Sequence, residues 1–184
     1  MQPPGGLMRN TLDTIYRLSG GAAAVSLFCI FALVCMQVGA RLLDGVMRFL
    51  GMTPLGLIVP SIAEISGFLL ASASFLALAY TLSIGSHIRV GLFVERLASG
   101  PRRIVEGLVG LLATGIAIYA CVAMGGLAFK SWTYNDVSFG FVPVPLWLPQ
   151  AVMTLGLAIL AIAIVDLTVR NWRTGNFTKY ETEA

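Results

Sequence analysis

Side chains charged at neutral pH, with the one histidine, are confined to short zones of this chain. Between them run four stretches that carry none: Leu18 to Ala40, Ile65 to Ser86, Gly107 to Phe129 and Val137 to Val165. About 20 residues of helix cross the ~30 Å hydrocarbon layer of a bilayer, so each stretch is long enough to span it. The pattern predicts an all-α membrane protein of four transmembrane helices, at about residues 18–40, 62–86, 104–129 and 146–167. Residues 1–174 read as a single four-helix domain and residues 175–184 as a flexible tail. A fifth uncharged stretch, Phe49 to Ala63, is broken by Gly51, Pro54, Gly56 and Pro60. In lipid such a backbone leaves its own polar groups unsatisfied, so this stretch is read as a connection.

The connections are themselves patterned. After the first span, Arg41, Asp44 and Arg48 recur at helical spacing opposite Leu42, Leu43, Val46, Met47 and Leu50. An amphipathic segment of this kind either prolongs the helix beyond the bilayer or bends along its surface. After the second span, Val90, Phe93, Val94 and Leu97 form an apolar stripe among Arg89, Glu95 and Arg96, as expected of a helix lying in the interface beside lipid phosphates. Pro101 suits the first turn of the third helix, and Pro143, Pro145 and Pro149 mark the start of the fourth.

Composition supports lipid as the solvent. The chain is 57% hydrophobic and only 11% charged over 184 residues, with a mean hydropathy of +0.85. Soluble domains carry roughly a quarter charged residues. Nine Lys and Arg fall in the N-terminal segment, the second connection and the tail, against three (Arg41, Arg48, Lys130) on the opposite side. By the positive-inside rule both termini are then cytoplasmic, with Trp132, Tyr134 and Trp147 at the outer interface and Tyr16 and Trp172 at the inner one. The first run is longer than a signal-peptide core and is read as a retained span, although Val38-Gly39-Ala40 resembles a cleavage site. The net charge of +3 is scattered between apolar runs, which argues against a nucleic-acid partner. Cys29, Cys35 and Cys121 all lie inside apolar runs and read as small packing residues.

Chemistry is sparse. Glu64, Glu106 and Asp166 stand at span ends, and mid-span polar groups are mostly Ser, Thr and Tyr119. A carrier of charged solutes usually shows mid-membrane carboxylates, histidines or broken helices, because these form its site. No nucleophile with a base, paired carboxylates or phosphate-cradling loop can be assembled, so the chain does not read as an enzyme and no metal or cofactor site is expected. Ser61-Ile62-Ala63-Glu64 fits a capping box at the start of the second helix, with a contact to another subunit as the alternative use of Glu64. His87 stands beside Arg89 at the inner interface, as a structural or headgroup contact or as a functional one. Gly67, Ala71, Ser74, Leu78, Thr81 and Gly85 form a mostly small-residue line along the second helix. In lipid such lines favour close helix contact, here with a partner in the same chain or in another subunit.

The Gly85-Ser86-His87-Ile88-Arg89-Val90 element, the Glu64-initiated second helix, and Ser138-Phe139-Gly140 running into Pro143-x-Pro145-x-Trp147 resemble the small membrane subunit of tripartite ATP-independent periplasmic (TRAP) transporters. The likeness covers most of residues 10–170, although the acidic residue that often follows the valine in that family is Gly91 here. The resemblance implies a bacterial inner-membrane complex importing an organic acid with sodium. A periplasmic solute-binding protein would deliver the acid to a large membrane subunit, which would also hold the sodium. This chain would brace the large subunit, contacting phospholipids with His87, Arg89, Arg96, Arg102 and Arg103, while Arg41, Arg48, Lys130 and Asp136 either orient the binding protein or remain solvated loop charges. The rival readings are a self-sufficient homodimeric carrier and a membrane assembly or anchor protein.

Overall fold

The computed structural model describes residues 7–56, 60–84 and 99–174. Four helices account for most of them: α1 (Leu7–Phe49), α2 (Ile62–Ser83), α3 (Ser99–Thr133) and α4 (Trp147–Thr174). All four are long and apolar enough to cross a membrane. Among the described residues there is no strand beyond an isolated bridge between Val137 and Pro145.

α1 is much longer than its uncharged core. Its 43 residues extend about 65 Å at 1.5 Å per residue, beyond the ~45 Å of a whole bilayer with headgroups. The segment from Arg41 to Phe49, expected from the sequence to be amphipathic, is the last part of α1, with no break after Ala40. Gly51 ends the helix. Its φ of 72° is a left-handed conformation that costs glycine little, and it lets Met52 N–H donate to Met47 O (2.8 Å) and Gly51 N–H to Arg48 O (3.1 Å). The second amphipathic segment, Val90 to Leu97, lies outside the described residues, as do Gly85, His87, Arg89 and Arg96. Arg102 and Arg103 fall on the first turns of α3.

The helices do not close into a four-cornered bundle. Contacts run from α1 to α2, from α2 to α4 and from α4 to α3, with α1 barely touching α4. Small residues make these seams. Tyr16 of α1 packs with Ala79 of α2 and Ala163 of α4, and Ala23 packs with Ala73 and Leu76. Gly156 of α4 lies so close to α2 that a Cβ there would sit 2.7 Å from the Phe75 carbonyl carbon. Gly20 of α1 faces the Tyr80 ring in the same manner. A buried hydrogen bond joins the first pair, from Ser19 Oγ to Leu76 O at 2.5 Å. Such contacts stabilise helix pairs in lipid because apolar burial gains little there.

Candidate functional site

The polar and aromatic features gather at the end of the molecule where α1 and α3 finish and α2 and α4 begin, here the hairpin end. α3 stops as α1 does: Asn135 adopts a φ of 53°, Asp136 N–H donates to Ser131 O (2.9 Å), and Asn135 N–H to Trp132 O (3.3 Å). The chain then doubles back over residues 136–146. Ser138 N–H donates to Val144 O (2.9 Å), Leu146 N–H to Asp136 O (3.0 Å), and Val144 N–H to Ser138 Oγ (3.1 Å). Pro143 and Pro145 have no N–H to satisfy, which suits a short irregular hairpin.

The tip of this hairpin is Phe139-Gly140-Phe141. Both phenylalanines are essentially fully exposed, at 105% and 95%. Gly140 points the other way, against the start of α2. A Cβ at this position would collide with the Glu64 carboxylate and with Ser61 Oγ. Val142 N–H donates to Ser61 Oγ at 2.9 Å, so the hairpin is tied to α2 by a bond spanning 81 positions of sequence.

This geometry corrects the capping-box expectation. Ser61 does stand at the N-cap of α2, but with φ 55° and ψ 22° instead of the extended conformation usual there, and its side chain makes no cap bond. Glu64 N–H and Ile65 N–H instead donate to the Ser61 carbonyl, at 3.1 and 3.0 Å. The serine hydroxyl is thereby free to hold the hairpin. Glu64 Oε2 is buried beneath Gly140 and has no hydrogen-bond partner among the described residues.

The small-residue line on α2 is split by the fold. The face that packs within the chain carries Ser72, Ala73, Leu76 and Ala79, not the predicted line. Gly67 and Ser74 are exposed, Ala71 is half-buried, and a Cβ on Gly67 would meet nothing within 4 Å. Ser74 returns its hydroxyl to Leu70 O within the same helix. The in-chain partners that the sequence reading missed are Gly20 and Gly156, single glycines whose importance depends on which helix lies opposite.

Arg41, Arg48, Lys130 and Asp136 are all exposed at the hairpin end. They do not form one patch. The two arginines ride on α1 and the other two residues on or just after α3, and these helices lie at opposite ends of the contact order. None of the four is in an ion pair among the described residues, where the one such pair is Arg9 with Asp13. Asp44, between the arginines, accepts a hydrogen bond from Gly56 N–H at 3.2 Å, which returns the connection towards α1. Among the described residues no cluster of His, Cys, Asp or Glu is suited to hold a metal ion.

No curated protein and no solved structure matches the chain. The family model described as "Tripartite ATP-independent periplasmic transporters, DctQ component" matches residues 30–174, which takes in the later part of α1 and all of α2, α3 and α4. With four apolar helices of spanning length, this chain is a multi-pass membrane protein and belongs to the DctQ family, the small permease component of TRAP transporters.

Proposed function

We propose that the protein is the non-catalytic small subunit of a TRAP transporter in the bacterial inner membrane, with both termini cytoplasmic. It braces a large membrane subunit that carries an organic acid inward with sodium, and it helps to seat the periplasmic solute-binding protein that delivers the acid. Residues 1–174 act as one unit and residues 175–184 as a tail. The observation that supports this role is the character of the spans: each runs between its ends without a charged side chain, so the chain offers a hydrated, charged solute no counter-charge at mid-membrane. Its resources are packing faces and charged rims. His87, Arg89, Arg96, Arg102 and Arg103 supply the cytoplasmic rim that meets phospholipid headgroups, and Arg41, Arg48, Lys130 and Asp136 the opposite rim.

Proteoliposomes test the reading. The purified chain alone should accumulate no acid down a sodium gradient, and uptake should require the large subunit and the binding protein together. Accumulation by the chain alone would replace this reading with that of a self-sufficient carrier. In the complete system, charge reversal at Arg48 and Lys130 should slow association of the binding protein at low ionic strength, because exposed charges act mainly on association rate. An unchanged rate would reduce those charges to solvated loop residues.

A further inference from the structure

Phe139 and Phe141, at the tip of the hairpin over residues 136–146, are more exposed than any other large apolar side chain among the described residues. Trp132 and Tyr134, also exposed, stand at and just past the end of α3, from which the hairpin leaves. Two features fix the depth of the tip. α2 extends about 33 Å over its 22 residues at 1.5 Å per residue, close to the ~30 Å of hydrocarbon, so its first turn lies at the boundary between acyl chains and headgroups. The Val142 to Ser61 hydrogen bond and the seat of Gly140 on Glu64 hold the tip at that level. Trp132 and Tyr134 agree with it, since a ring with a polar handle favours the same boundary.

The backbone selects the surroundings. Ser138, Val142, Val144 and Leu146 N–H all donate within the chain, and Pro143 and Pro145 have no N–H, so from Val142 to Leu146 no donor is left over. A connection that enters lipid must settle its own polar groups in this manner, whereas a loop facing water has no such need. The run carries no charge from Val137 onwards, as an acyl environment also requires. A protein docking here would need hydrogen bonds as well as apolar area, and the second arm of the hairpin has already used its donors within the chain. We infer that the hairpin is an interfacial membrane anchor: Phe139 and Phe141 enter the acyl boundary of the bilayer at the hairpin end, beside Trp132 and Tyr134. The N–H groups of residues 139–141 then lie at the depth of the lipid ester carbonyls. Because the same segment is tied to Ser61, the anchor also sets the depth of the head of α2. It needs lipid alone and none of the subunits proposed above.

Nitroxide labelling of the full chain in phospholipid bilayers tests the anchor, with Cys29, Cys35 and Cys121 replaced by alanine and one labelled cysteine introduced at a time. At Phe139→Cys and Phe141→Cys a water-soluble nickel relaxant should collide with the label about tenfold less often than at Asp136→Cys, since entering hydrocarbon costs a polar solute at least that partition. Dissolved oxygen, which concentrates among acyl chains, should show the reverse order. Equal nickel access at the three positions would put the tip in water and overturn the anchor. Low access to both relaxants would mean burial against protein and would overturn it as well. Phe139→Asp should raise nickel access at a label on position 141, because a charge at that depth draws the tip towards water. A label at Ile116→Cys on the exposed side of α3 should stay rich in oxygen collisions, showing that the variant is still inserted. No gain at position 141 in that inserted variant would refute the anchor. In cells producing the complete transporter, benzoylphenylalanine at Phe139 should give lipid adducts, and capture of any protein there would displace lipid as the occupant.

Discussion

The two central helices and the two flanking ones have nearly the same apolar character and very different surroundings. In their most apolar stretches α2 and α4 are 22% and 28% buried within the chain, against 11% and 6% for α1 and α3. Mean hydropathy does not sort them, since α3 at 2.1 exceeds α2 at 1.8. Place in the contact order does: α2 and α4 each pack on two helices, whereas α1 packs mainly on α2 and α3 on α4, which leaves Phe28, Phe31, Leu111 and Ile116 facing outwards. In a bilayer a leucine is as well placed against lipid as against protein, so being apolar decides only that a helix is in the membrane, not what it touches.

That contrast can be broken most severely at the closest approach. Gly156→Leu would push a side chain into the Phe75 backbone, which has no rotamer by which to yield. The expected destabilisation is about 3 kcal/mol or more, read as a lowered unfolding midpoint in a mixed-micelle titration. Next comes Leu157→Ala, at a site only 6% exposed, with an expected loss of about 2 kcal/mol in the same titration. Ser61→Ala removes the acceptor for Val142 N–H and should cost about 1 kcal/mol. It should also speed amide exchange at Val142 while leaving the amides of α4 protected. At the small end, Ile116→Ala on α3, 68% exposed, should shift the midpoint by less than about 0.5 kcal/mol. A loss at Ile116 equal to that at Leu157 would mean that the flanking helices are held by the same packing as the central ones.

The hairpin shows where sequence reading runs out. Its prolines and its Phe-Gly-Phe tip are visible in the chain, and the uncharged run from Val137 onwards includes them with the fourth span. What hydropathy cannot supply is that Gly140 lands on Glu64 and Ser61. The Ser-x-x-Glu spacing favours a local capping box, but the serine takes a left-handed backbone and spends its hydroxyl on a segment far along the chain. A local rule thus yields to a tertiary contact at the head of α2. The small-residue line was expected to be a packing face, within the chain or against another subunit, yet the chain packs on the neighbouring face and leaves Gly67 and Ser74 uncovered.

By itself, the sequence determined that the chain lies in lipid, how many helices cross it and where charge is absent. These follow from a transfer free energy that each segment experiences alone, whatever its neighbours. Only the tertiary structure decided the order of helix contacts, the closing of the hairpin over Glu64 and the face of α2 that stays uncovered. Those depend on which backbones approach within van der Waals range, and a glycine or serine carries that information only once the surface opposite it is in place.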